Sequence, residues 1–260
     1  MPSPQPPRTP YRRAGRYVLC AAVLGALTAC GAGTDGTHPA AGKAASPAGA
    51  PERQPRETVQ ARRLPAQVPG LGPKTLAEVP DDTRQVVVAS GAGKDSSTSR
   101  VTVYRRSADG WEAGPTWSAR NAERGWSDDH HAGDLRSPVG VYGLTDAGGA
   151  LRDPGSRLPY DRSTGGFHVV GTGFDGESLA GSFDYVVAIN YNREPGTSPL
   201  DWTRPLGDGK GGGIWFHVTH GGPTHGCVSL SKAHMRELLR TLDPAAHPVV
   251  AMGPARALAR

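Results

Sequence analysis

Ile214-Trp215-Phe216-His217-Val218-Thr219-His220-Gly221-Gly222-Pro223-Thr224-His225-Gly226-Cys227-Val228-Ser229-Leu230 is the stretch on which the reading of this chain turns. Its first five residues are branched or aromatic and predict a strand that carries His217. Thr219 to Gly226 is rich in glycine, proline and threonine and predicts a loop, after which Cys227 enters a second strand. A thiol at its free pKa of about 8.5 is protonated at neutral pH, so a nucleophilic cysteine needs a base or a cation beside it. Three histidines within ten residues of Cys227 can supply one. Gly226 lets the backbone come close to a substrate carbonyl, and the amides of Gly226 and Cys227 are candidate donors to a developing oxyanion. A metal cluster of His217, His220, His225 and Cys227 is the rival reading. Zinc sites want further Cys or acidic ligands at set spacings, and neither a second Cys nor a nearby Asp or Glu completes the pattern, so neither metal nor cofactor is expected.

Upstream, short β-rich runs alternate with turn residues. They are Gln85-Val86-Val87-Val88-Ala89, Arg100-Val101-Thr102-Val103-Tyr104, Gly140-Val141-Tyr142-Gly143-Leu144, Phe167-His168-Val169-Val170 and Tyr185-Val186-Val187-Ala188-Ile189. Their composition and spacing predict a mainly β sandwich or barrel. Downstream, Met235, Leu238, Leu239 and Leu242 recur at helical spacing from Ser231 to the stop at Asp243-Pro244, so one short helix follows the Cys. Pro248-Val249-Val250-Ala251-Met252 reads as a last strand, and residues 67–260 as one domain. The segment Asp128, Asp129, His130, His131, Asp134 reads as a solvated loop before a Ser-Pro turn.

The N-terminal part has a different character. The net charge of +5 is concentrated there: Arg8, Arg12, Arg13 and Arg16 precede residue 30 with no acid among them, and the remainder holds 25 basic against 24 acidic residues. That balance leaves no basic footprint for nucleic acid. The basic start, the apolar run from Tyr17 to Leu27 and the small residues before Cys30 predict an export signal over residues 1–29, too short for a membrane span of about 20 apolar residues. Leu27-Thr28-Ala29-Cys30 resembles the bacterial lipobox, which implies a lipidated Cys30, a membrane partner and a place on the outer face of the cytoplasmic membrane. Residues 30–66 carry Ala, Gly, Pro and charge with few large apolar side chains, and are expected to be a disordered tether. Of the 3 cysteines only Cys227 then remains in the domain, an unpaired thiol in an exported protein.

Thr224-His225-Gly226-Cys227-Val228 resembles, residue for residue, the Ser/Thr-His-Gly-Cys block of the L,D-transpeptidase catalytic domain, the YkuD type. Ser137-Pro138-Val139-Gly140-Val141-Tyr142 is similar to that family's Ser/Thr-Pro-x-Gly-x-Phe/Tyr strand. The resemblance implies a β-sandwich with Cys227 as nucleophile and His217 as base, supported by Gly226, His225 and Thr224. His220, Ser229 and Tyr185 are candidate substrate contacts. It further implies peptidoglycan stem peptides as partners, 3→3 cross-linking through a Cys thioester, and a carbapenem as covalent inhibitor. Two departures stand out: His217 lies only ten residues before Cys227, a shorter loop than the family's, and Ser229 stands where Asn or Arg is common. Hydrolysis of the same acyl-enzyme, as an L,D-carboxypeptidase, is the alternative within catalysis. A wall-binding lipoprotein with an inert thiol is the alternative outside it, and a thiol that alkylates readily near neutral pH is expected of the enzyme only.

Overall fold

The computed structural model describes residues 63–260, all within one compact unit, Thr58–Arg260. The export signal, Cys30 and most of the tether lie outside the described residues. In chain order the elements are α1 (Pro73–Ala77), β1 (Gln85–Gly91), β2 (Thr98–Ser107), β3 (Gly110–Arg120), β4 (Trp126–Ser127), β5 (Ser137–Pro138), β6 (Gly140–Gly143), β7 (Ala147–Gly149) and β8 (Tyr160–Arg162). They continue with β9 (Val186–Ala188), β10 (Trp215–Val218), β11 (Val228–Leu230), α2 (Lys232–Thr241), β12 (Val249–Pro254) and α3 (Ala255–Leu258).

The domain is mainly β, with the expected helix after Cys227. Its strands form one continuous ten-stranded mixed sheet in the order β6-β12-β1-β2-β3-β11-β10-β9-β7-β8, beside a small β4-β5 pair. α2 covers one face: Trp117 of β3 stacks on His234 at 5.2 Å, Gln85 of β1 donates to the Thr241 carbonyl at 2.9 Å, and Met235, Leu238 and Leu239 join the main core with Val87, Val101 and Phe216. The helix starts where its cap chemistry dictates, the Ser231 side chain accepting the His234 N–H, an interaction that offsets one of the orphan donors of the first turn. The opposite face near β1 and β12 is covered by Val68, Leu71, Trp111 and Leu258, which pack on Val86, Val88, Val249 and Ala251.

Two elements differ from expectation. Phe167-His168-Val169-Val170 is not a strand: glycines on both sides break the run, and Phe167 turns inward as an aromatic plug, edge-on to Trp215 at 5.9 Å. Conversely β3 was hidden by Gly114 and Pro115. It pairs along the whole of β2, with a register shift between Thr102 and Tyr104 absorbing the irregularity.

Candidate active site

β10 and β11 run parallel as neighbours, with Phe216 opposite Val228, His217 opposite Ser229 and Val218 opposite Leu230. Side chains alternate along a strand, so Phe216, Val218, Val228 and Leu230 enter the main core while Trp215, His217 and Cys227 project to the other face. There Cys227 packs against a separate cluster of Phe167, Val186, Ala188 and Trp215. The short loop between the strands therefore returns the thiol to the face of the sheet that carries the strand histidine, one pleat away along the ladder.

The thiol is half-buried and edges a cleft of about 370 Å³, whose walls include His130, Trp202, Arg204, Gly211 to Gly213, His225 and Gly226. Sγ accepts the Trp215 N–H at 3.4 Å and lies 3.5 Å from the Gly213 carbonyl, to which the thiol donates. Burial pushes its pKa up to about 11, so in this resting arrangement Cys227 is a thiol and not a thiolate. Its carbonyl is clamped by two hydroxyls, Thr224 donating at 2.6 Å and Ser137 at 3.4 Å. The backbone N–H groups of Gly226 and Cys227 donate to no partner among the described residues, and both residues line the cleft, so two adjacent donors stand free beside the thiol. A Cβ on Gly226 would fall 2.8 Å from Ile214 Cδ1, so a side chain there would have to displace it.

His217 is enclosed. Its Nδ1 lies 2.9 Å from the Val218 carbonyl and donates to it, which leaves Nε2 as the unprotonated, accepting nitrogen. Phe183 meets the ring edge-on at 5.4 Å and His220 stacks on it at 5.9 Å. Desolvation lowers its pKa to about 4, so it is a neutral imidazole. His217 and Cys227 are not hydrogen-bonded to each other, and forming the pair requires the thiol to leave Gly213.

The other candidates separate clearly. Thr224 is a structural tie: its N–H donates to Asn121, its carbonyl accepts from Glu123, and its hydroxyl holds Cys227. His225 is exposed at the cleft edge and packs on Phe174 at 4.7 Å. His220 is not an open contact for substrate, because it is buried and paired through Nδ1 with Glu177 at 2.6 Å. Ser229 is fully buried with no hydrogen-bond partner, and Tyr185 lies in the main core, so neither reaches the cleft. Parity puts Tyr185, two residues before Val187, on the core side, whereas Ser229 shares the face of His217 and Cys227 but is fully buried.

Three residues were not visible as site residues in the sequence. Glu177 comes from a distant hairpin closed by the Thr172 and Ser178 pairing, and a Cβ on Gly222 would fall 2.1 Å from its carboxylate, so Gly222 makes room for it. Ser137 reaches the Cys227 carbonyl from the Ser-Pro motif. His130, expected in a solvated loop, is buried and lines the Cys227 cleft. Among these only Ser137 carried a signal, its place in the quoted motif.

Asp146 and Arg193 form a buried ion pair at 2.9 Å. Next to it the Asn192 amide donates to the Gly207 and Gly211 carbonyls, and its carbonyl accepts the Leu206 N–H. This network fixes the loop from which Gly211 to Gly213 face the thiol.

The model of the L,D-transpeptidase catalytic domain, YkuD, matches residues 81–250. Two solved structures are similar. Bd1075 of Bdellovibrio bacteriovorus is 14% identical, over 65% of this chain and 47% of that one, with a TM-score of 0.36. The helical cell shape determining protein Pgp2 from Campylobacter jejuni is 17% identical, over 67% of this chain and 49% of that one, with a TM-score of 0.36. The aligned region thus spans about half the length of each. No curated protein matches the chain.

Proposed function

The chain belongs to the L,D-transpeptidase catalytic domain family, and from that premise we propose that Cys227 and His217 perform acyl transfer on peptidoglycan stem peptides, forming 3→3 cross-links. The observation that carries the reading is the parallel pairing of β10 and β11, which sets a neutral imidazole with an accepting Nε2 on the same face as a thiol that edges an open cleft. In the first half-reaction the thiol proton passes to His217 Nε2 as Sγ attacks the carbonyl of the third stem residue. The oxyanion is met by the free amides of Gly226 and Cys227, and the terminal D-amino acid leaves with the proton from His217. The thioester is then taken by the side-chain amine of a second stem. A thiol pKa near 11 and an imidazole pKa near 4 make proton transfer uphill before substrate arrives, which places thiolate formation in the attack itself.

The same values bear on how an enzyme is told from an inert wall-binding protein. Slow alkylation of the resting thiol is expected of the enzyme too, so acylation is the discriminating observation. Incubation of the full chain with purified disaccharide-tetrapeptide, followed by intact-mass and muropeptide analysis, tests the reading. An acyl adduct on Cys227 with a cross-linked dimer supports it; an adduct with tripeptide as the sole product makes the protein a carboxypeptidase; no adduct overturns it.

A further inference from the structure

The cleft that holds the thiol contains a second imidazole. His130 is buried, and its Nδ1 lies 2.9 Å from Asp134 Oδ1. That carboxylate is itself fixed by two backbone donors, the His131 N–H at 3.0 Å and the Arg136 N–H at 2.8 Å. Tyr191 meets the ring edge-on at 5.2 Å, and its hydroxyl lies within hydrogen-bond distance of the His130 and Lys210 carbonyls. The ring is thus packed in place, with Nδ1 in close contact with the Asp134 carboxylate. Its Nε2 faces the gap left by Gly211, where a Cβ would stand 3.1 Å away. On the side of the nucleophile, a Cβ on Gly226 would lie 3.9 Å from His130 Cε1. His217, by contrast, does not line this cleft.

We propose that His130, oriented by Asp134, is the base of the second half-reaction, accepting the proton of the nucleophile that resolves the Cys227 acyl-enzyme. The inference rests on the acyl-transfer reading above. As the acceptor nitrogen attacks the thioester carbonyl, the C–N bond forms, the C–S bond breaks with its electron pair left on Cys227 sulfur, and the nitrogen's proton passes to His130 Nε2. The imidazolium then returns that proton to the thiolate across the same cleft, restoring the thiol and the neutral ring. Burial holds His130 below its ordinary value, against the pull of Asp134, so the ring is in its basic form at neutral pH. His217 serves the thiol and the leaving amine, and His130 serves the acceptor.

The two halves are separated by measuring carbapenem acylation of Cys227 alongside release of product from the natural donor. In His130→Gln, release is expected to fall at least about 10²-fold while acylation falls less than about threefold, so the acyl form accumulates in intact-mass spectra. Asp134→Asn retains the imidazole but not its orienting anion, and should move the pH profile of release to lower pH with KM for the donor unchanged. Unchanged release in His130→Gln, an equal loss of both halves, or an unmoved profile in Asp134→Asn overturns the proposal. A wild-type chain that never acylates refutes the reading of Cys227 instead.

Discussion

His217 and His220 are three residues apart and stacked, yet their environments assign them different work. His217 has its tautomer set by the Val218 carbonyl, whereas His220 is tied to Glu177. His217→Ala is expected to slow carbapenem acylation by the 10²–10⁴-fold characteristic of a lost general base, and His220→Ala by far less. Acylation rates followed by intact mass decide it, and a larger loss in His220→Ala would move the base into the loop. The buried neutral ring also leaves a mark on stability. Its folded pKa of about 4 lies below the ordinary unfolded value, so the unfolded chain takes up a proton that the folded one refuses. The stability it contributes is full above about pH 6.5 and is lost as pH falls toward 4, by up to about 3 kcal/mol. Denaturant unfolding at about pH 7 and pH 4.5 should show that loss in the wild type and a smaller one in His217→Asn.

At the scale of elements, the β4-β5 pair is small but holds the residue that leads into β11, Cys227. Ser137 lies in β5, is fully buried, accepts the Ala122 N–H at 3.1 Å and donates to the Cys227 carbonyl. Ser137→Ala leaves both backbone groups without it and should cost about 1–3 kcal/mol, with a drop in acylation rate because β11 loses a fixed entry. A thermal melt and an acylation time course check the two effects, and a variant with both unchanged would show the clamp to be idle. The hairpin bearing Glu177 is the other element that meets the site. Gly222→Ala would thrust a methyl into its carboxylate, which should free His220 and raise protease sensitivity in the hairpin, read by limited proteolysis. Equal cleavage patterns would show that the His220–Glu177 contact does not hold it.

Across the whole molecule, stability depends on side chains far from the thiol. Asp146 and Arg193 are nearly inaccessible, and losing one partner strands the other's charge, so Asp146→Ala should destabilise by about 3–5 kcal/mol. Calorimetry tests this, and a melt within error of wild type would contradict the buried pair. The N-terminal region yields a separate proposal, that Cys30 carries lipid and holds the protein at the membrane. Two acyl chains suffice for stable anchoring. Cys30→Ser should therefore move the protein from the membrane to the soluble fraction, and an unchanged distribution would overturn it.

The sequence by itself determined the strand that carries His217, the glycine-rich loop that leads into Cys227, the mainly β class and the helix after Cys227. These are local: hydrophobic period, cap chemistry and a contiguous motif all act within a few residues. The tertiary structure alone decided that Ser229 is buried and Tyr185 lies in the core, that His220 is spoken for by Glu177, and that His130 lines the thiol's cleft. Glu177 is 43 residues from His220, and Ser137 is 90 from Cys227. No local pattern encodes contacts at such separations; they arise only when the order β3-β11-β10-β9 brings distant loops to one end of the sheet, and when strand parity selects which side chains face it.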